Sequence, residues 1–188
     1  MKKRLFLITG SPGVGKTTVL LKTVDALRAK SKVVGGMATR EVRSAGSRIG
    51  FELMDLSSGR SGWLARVDQE QGPIVGRYRV NLEDINSLGA SAIIQAVEKS
   101  DVVVIDEIGP MELLSQQFKQ SVMKTFESSK PAVCTVHWNM KNQLVDETKR
   151  RVDAETFVVT YENRDRLHEQ IVERIMDLLA QKETNKEL

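Results

Sequence analysis

The sequence predicts an α/β fold, a doubly wound, mainly parallel β-sheet that carries an antiparallel β-hairpin insertion. Short, nearly continuous apolar runs rich in β-branched residues recur along the chain, and amphipathic stretches with helical spacing separate them. One central stretch has neither pattern and reads as hairpins. A strand covered on both faces loses the apolar/polar alternation of a half-exposed strand. Continuous apolar runs therefore point to a parallel sheet with helices on both sides.

The strand runs are Leu5–Thr9, Val33–Met37, Val102–Ile105, Ala132–Val136 and Phe157–Thr160. Between them, Thr18–Ala29 sets Leu20, Val24 and Leu27 on one stripe, and Asp84–Lys99 does the same with Ile85, Leu88, Ile93 and Val97. Glu112–Ser128 aligns Leu114, Phe118, Val122 and Phe126, and Asp165–Gln181 aligns Leu167, Ile171, Ile175 and Leu178. From Ser47 to Val80 no helix is expected. Two strands flank Ser57-Ser58-Gly59-Arg60, Gly72-Pro73 ends the pair, and "IVGRYRVN" adds a short extended piece. The reading is one domain over residues 1–181, with a β insertion at about 47–80 and a frayed tail at 182–188.

Composition narrows the function classes. Of 188 residues, 40% are apolar and 28% charged, with a net charge of +3, which does not mark a nucleic-acid binder. The lone Cys134, flanked by Ala132-Val133 and Thr135-Val136, has no disulfide partner and reads as a buried strand thiol. The apolar run after Lys2-Lys3-Arg4 is too short for a signal peptide or a membrane span, so a cytoplasmic protein is expected. Two separated histidines and one cysteine make no zinc site at recognisable spacing.

The first strand runs into "GSPGVGKT", which fits G-x-x-x-x-G-K-[ST] at Gly10, Gly15, Lys16 and Thr17. A polyphosphate needs many N–H donors converging on one place without side chains in the way. Gly10, Gly13 and Gly15 supply the room, while Ser11, Pro12 and Val14 complete the loop. The helix that opens near Lys16 adds free N–H groups and the positive end of its dipole. Lys16 is a cation for the β and γ phosphates, Thr17 a small hydroxyl for Mg²⁺, and Thr18 a lesser candidate for the α phosphate. This assigns the sheet to the P-loop NTPase type.

The partner motif is "DVVVIDEIGP". Val102, Val103, Val104 and Ile105 form a buried strand, and Asp106 stands at its C-terminal end, where open α/β sheets bind ligands. An acid there holds Mg²⁺ together with Thr17, as a Walker B carboxylate does. Glu107 follows as a base for attacking water, and Ile108 and Gly109 continue the nucleotide-contacting stretch.

These strings carry a family resemblance. "GSPGVGKTT", "VVVIDEIGPMEL", "CTVH", "ENRD" and the middle segment "GGMATREVRSAGSRIGFELMDLSSG" resemble the small nucleoside-triphosphatase family that includes the human cancer-related nucleoside triphosphatase and relatives from thermophiles. The likeness covers nearly the whole chain. It implies slow, Mg²⁺-dependent hydrolysis of several nucleoside triphosphates to diphosphate and phosphate with weak base selectivity. It also implies phosphate contacts at Gly10–Thr17 and metal and water contacts around Asp106 and Glu107.

Secondary candidates each have two readings. Arg40, with Arg43 and Arg48 after it, is either a cation for charge on the γ phosphate or a solvated loop arginine. His137 is either a γ-phosphate or water ligand or a structural histidine, and Trp138 either packs or lines the pocket. Asn163 and Arg164 sit where a nucleobase is contacted, although Asn163 also suits the N-cap of the last helix, the preferred reading. His168 is expected to face solvent. The alternatives to a hydrolase are a small-molecule or nucleotide kinase with "TREVRSAGSR" as an imperfect lid, and a nucleotide-dependent binding module, for which nucleic acid is not the first choice of partner. A monomer is favoured.

Overall fold

A computed structural model describes residues 2–184, with side chains as far as Gln181. One nine-stranded sheet runs through it. Its strands are β1 (Leu5–Thr9), β2 (Val34–Ser44), β3 (Ser47–Asp55), β4 (Ser61–Arg66), β5 (Ile74–Val75), β6 (Tyr78–Val80), β7 (Val102–Ile108), β8 (Ala132–Val136) and β9 (Ala154–Val158). Their spatial order is β5-β6-β4-β3-β2-β7-β8-β1-β9. The segment from β2 to β9 is parallel throughout, and the segment from β2 to β5 is antiparallel.

The central strands show why their sequences lack alternation. Leu5 and Leu7 of β1 enter one core layer, while Phe6 and Ile8 enter the other, and all four are at most 1% exposed. Each such burial stabilises the fold by roughly 1.5–3 kcal/mol. Two helices, α1 (Lys16–Ala29) and α6 (Leu167–Thr184), cover the Phe6 side through Leu20, Val24, Leu27, Ile171 and Ile175. On the other side lie α3 (Ser91–Lys99) and α4 (Gln116–Glu127), with Ile93, Phe118 and Val122 at 0% exposure.

Several boundaries differ from expectation for local reasons. Val33 stays 56% exposed outside the sheet, and β2 runs on to Ser44 because Ala45 and Gly46, at φ 47° and 78°, turn it tightly back into β3. Two positive φ values are what a two-residue hairpin needs to match strand twist. The antiparallel part therefore begins within β2, ahead of Ser47. The helical run at 84–99 is a short α2 (Leu82–Asp84), a π-turn over Ile85–Ala90, and α3. The run at 112–128 splits where Ser115, with extended backbone, caps α4 by accepting from the Phe118 N–H at 2.9 Å. The last strand lies earlier than Phe157–Thr160, pairing Leu5–Thr9 with Ala154–Val158. A further helix, α5 (Gln143–Arg150), was not expected and docks through Val145. α6 carries the backbone to Thr184, so part of the expected tail at 182–188 is helical, and 185–188 lie outside the described residues.

Candidate active site

The phosphate loop leaves β1 at its C-terminal end and crosses into α1. Ser11, Pro12 and Gly13 form an exposed crest, while Val14, 1% exposed, plugs the loop onto the core below. Gly13, at φ 76°, has open space where a side chain would begin, so its backbone is bare toward solvent. Gly15 caps α1 in a left-handed conformation with no side-chain cap bond, and the first turn holds no acidic residue. The helix thus keeps free N–H groups and an uncompensated positive end, the requirements of an anion cradle. Lys16 curls over the loop and its Nζ donates to the Gly10 carbonyl at 3.2 Å. Thr18 is exposed on the first turn of α1.

Opposite stands Asp106, 1% exposed. Pairing of β7 with β8 is regular to Ile105↔Cys134, slips, and resumes at Ile108↔Val136, so Asp106 and Glu107 occupy the irregularity. Thr17 Oγ1 donates to Asp106 Oδ2 at 3.0 Å, Thr39 donates to the same oxygen through both its N–H (3.3 Å) and its hydroxyl (3.0 Å), and Thr135 Oγ1 donates to Oδ1 at 2.5 Å. Burial raises the Asp106 pKa, and these four donors oppose that shift. Glu107 is half-buried and raised to about 7, by burial first, with the Lys16 ammonium pulling it down and Asp106 pushing it up. Glu107 Oε1 is buried with no hydrogen-bond partner.

His137 follows β8, the strand interposed between the loop-bearing β1 and the acid-bearing β7. Burial, then the charges of Lys16 and Lys149, lower its pKa, so the imidazole is neutral at pH 7. Lys149 Nζ donates to the carbonyls of His137 and Trp138, both at 2.9 Å, fixing that turn, and Trp138 itself is 38% exposed. Arg164 also reaches the loop, its Cδ lying 3.6 Å from where a Gly15 Cβ would stand and its guanidinium 5.2 Å from the centre of the exposed Tyr161 ring.

Other candidates lie elsewhere. Arg40 is on a strand, not a loop, and pairs with the Glu52 carboxylate opposite it, with 61% of its side chain exposed. Asn163 does not cap α6. Its amide accepts from Thr160 N–H and donates to the Val158 carbonyl, both at 2.9 Å, and so clasps its own loop. Val102, Val103, Val104, Ile105 and Ile108 are 0% exposed and serve as the frame that sets Asp106 in place, not as ligand contacts. Gly109 packs against Glu107 and Glu112. His168 is half-buried, with Nδ1 enclosed and unpartnered, so only part of its ring faces solvent. Thr39, Thr135, Tyr161 and Glu112 were not anticipated. A strand threonine reads as ordinary β propensity, so only knowing its neighbour reveals a donor.

This geometry has counterparts. A family model described as NTPase, NTPase_1, matches residues 5–172. The chain belongs to the NTPase_1 family. The "Nucleoside-triphosphatase THEP1" of Thermofilum pendens is 44% identical over 181 residues, which span 96% of this chain and 100% of that protein. The crystal structure of THEP1 from the hyperthermophile Aquifex aeolicus superposes with a TM-score of 0.82 at 32% identity, covering 91% of this chain and 98% of its own. The solution structure of a human cancer-related nucleoside triphosphatase does so with 0.78 at 37% identity, covering 93% and 98%. The resemblance read from "DEIGPMEL" and the phosphate loop is thus to a family that holds this chain over most of its length, and its sheet is that of the family.

Proposed function

We propose that this NTPase_1 member hydrolyses nucleoside 5'-triphosphates, ATP and GTP among them, to diphosphate and phosphate with Mg²⁺. The observation that carries the reading is the 3.0 Å approach of Thr17 Oγ1, at the helix end of a bare glycine loop, to the buried Asp106 carboxylate. A hydroxyl and a carboxylate are hard oxygen donors of the kind Mg²⁺ takes. Among the described residues no group of three His, Cys, Asp or Glu side chains forms a metal site of its own. The residues present therefore fit an ion shared with phosphate oxygens, held on the protein side by Thr17 and Asp106. An ion held there would supply positive charge against the phosphates of a bound nucleotide.

The chain's own groups then have distinct tasks. Backbone N–H groups from Gly10 to Thr17 grip the polyphosphate, and Lys16 follows the charge that moves toward the β–γ bridging oxygen as that bond breaks. Glu107, with a pKa of about 7, takes a proton from the water whose oxygen bonds to the γ phosphorus. His137, just past the end of the strand between the two motifs, serves as a neutral hydrogen-bonding group for the γ phosphate. Arg164 and Tyr161 offer a flat face on which any base stacks, which supports tolerance of several nucleotides. No helix among the described residues is long and apolar enough to cross a membrane. We take the protein to act in the cytoplasm, as a monomer, on free nucleotides.

The test is Glu107→Gln. It should bind ATP with Mg²⁺ as the parent does and lose most phosphate release, by about 100-fold or more. Release at the parental rate would remove Glu107 from the role of base. Transfer of labelled γ phosphate to nucleosides or nucleoside monophosphates in place of water would make the protein a kinase.

A further inference from the structure

Glu112 lies in the single 3-10 turn Glu112–Leu114 that follows β7, and is only 4% exposed. The hydrolysis described above does not use it. Packing does not explain it either, because an apolar side chain would fill the same space without the penalty of burying a carboxyl group. Burial drives its pKa well above the ordinary range, the charges of Glu107 and Asp106 push the same way, and the backbone N–H groups of Glu112 and Met111 only partly oppose them. Burial thus favours the protonated form of Glu112, which has an O–H to donate.

An acceptor waits close by. Glu107 Oε1 is buried and has no hydrogen-bond partner. The two side chains converge on Gly109. A Cβ built on that glycine would stand 3.1 Å from Glu112 Oε2, 3.3 Å from Glu107 Cγ and 3.4 Å from Glu107 Cδ. Both carboxyl groups thus border one space the size of a methyl group. It exists because residue 109 has no side chain, so nothing from that residue stands between the two glutamates.

We propose that Glu112 is a positioning residue for hydrolysis, its buried carboxyl group fixing the Glu107 carboxylate across the space that Gly109 leaves open. The inference rests on Glu107 being the base. Glu112 touches neither water nor phosphate and acts only by restricting where Glu107 points. A base held at the reacting water keeps its rate, and one that is free to swing loses it without weakening nucleotide binding.

The experiment compares full-length Glu112→Gln, Glu112→Ala and Gly109→Ala by steady-state phosphate release from ATP, alongside Glu107→Gln. The amide of Glu112→Gln still donates one hydrogen bond and accepts others, so its kcat should stay within about twofold of the parent. Glu112→Ala removes the group, and Gly109→Ala wedges a methyl between the pair. Each should cut kcat about tenfold or more while KM for ATP changes less than about threefold. Parental kcat in Glu112→Ala or Gly109→Ala overturns the inference, as does a loss in Glu112→Gln equal to that in Glu112→Ala. If Glu112→Ala fails to fold by circular dichroism, Gly109→Ala decides. Full activity in Glu107→Gln would overturn the base itself, whereas a dead Glu107→Gln beside active Glu112→Ala and Gly109→Ala would overturn the positioning role alone.

Discussion

Replacing Glu107 with Gln should make the nucleotide-free protein more stable at alkaline pH even as it abolishes hydrolysis. The Glu107 carboxyl group titrates near 7 in the fold, against an ordinary value of 4.5, with burial the largest cause. Below pH 4.5 it is protonated both folded and unfolded, and the shift has no effect on the fold's loss. As pH rises toward 7, the unfolded chain releases its proton while the folded chain retains it, so wild-type stability falls. Above 7 the loss is complete. At 1.36 kcal/mol per unit, and discounted for the partial exposure of the side chain, the decline attributable to this one group is about 2 to 3 kcal/mol. Gln has no proton to lose. The assay is urea unfolding of both proteins at pH 4.5 and pH 8, with the free-energy difference between them compared across the two pH values. That comparison cancels whatever the amide gains or loses by packing. A gap between variants that changes by less than about 0.5 kcal/mol from one pH to the other would refute the claim that the fold holds this carboxyl group against its charge.

Two further substitutions probe the neighbours. Thr135→Val keeps the shape of a fully buried side chain but removes the hydroxyl that donates to Asp106 Oδ1, so unfolding free energy should drop by about 1.5–3 kcal/mol and the Mg²⁺ needed for half-maximal hydrolysis should rise about tenfold. An unchanged melting curve and Mg²⁺ requirement would mean the bond contributes nothing. Arg40→Ala removes the exposed end of a pair with the mostly covered Glu52 and should alter stability by no more than about 1 kcal/mol and hydrolysis by less than twofold. A hundredfold fall in kcat would bring Arg40 back into the chemistry.

Legibility in the sequence followed the strength of local signals. β1 and β8 could be bounded to the residue because their mainly apolar runs ended at Arg4 and Gly10 in one case and at Pro131 and His137 in the other. The phosphate loop was readable because its composition is odd for any other purpose. β2 was cut short because "SAGS" puts Ala45, an alanine, at positive φ, whereas the usual hairpin signals are Asn, Asp and Gly. α5 escaped notice because Gln143–Arg150 contains only Leu144 and Val145 to mark an apolar face. Asn163 suited a helix cap by residue type, yet the chain makes a full turn between it and Leu167, and its amide instead clasps the preceding loop at Val158 and Thr160. The hydroxyls around Asp106 come from residues far apart in the sequence. No spacing rule joins Thr17, Thr39 and Thr135, and only the strand order does.

That convergence bears on how such a centre is transplanted. The hydroxyls that steady Asp106 come from the start of α1, the outward half of β2 and the interior of β8. Grafting the glycine loop with its lysine onto another scaffold would carry over a grip for anions but not the harness on the opposing acid. A working chimera must import the entire rim where β2, β8, the β7 strand that bears Asp106 and the start of α1 meet, and shuffling at any crossover inside it severs the ensemble.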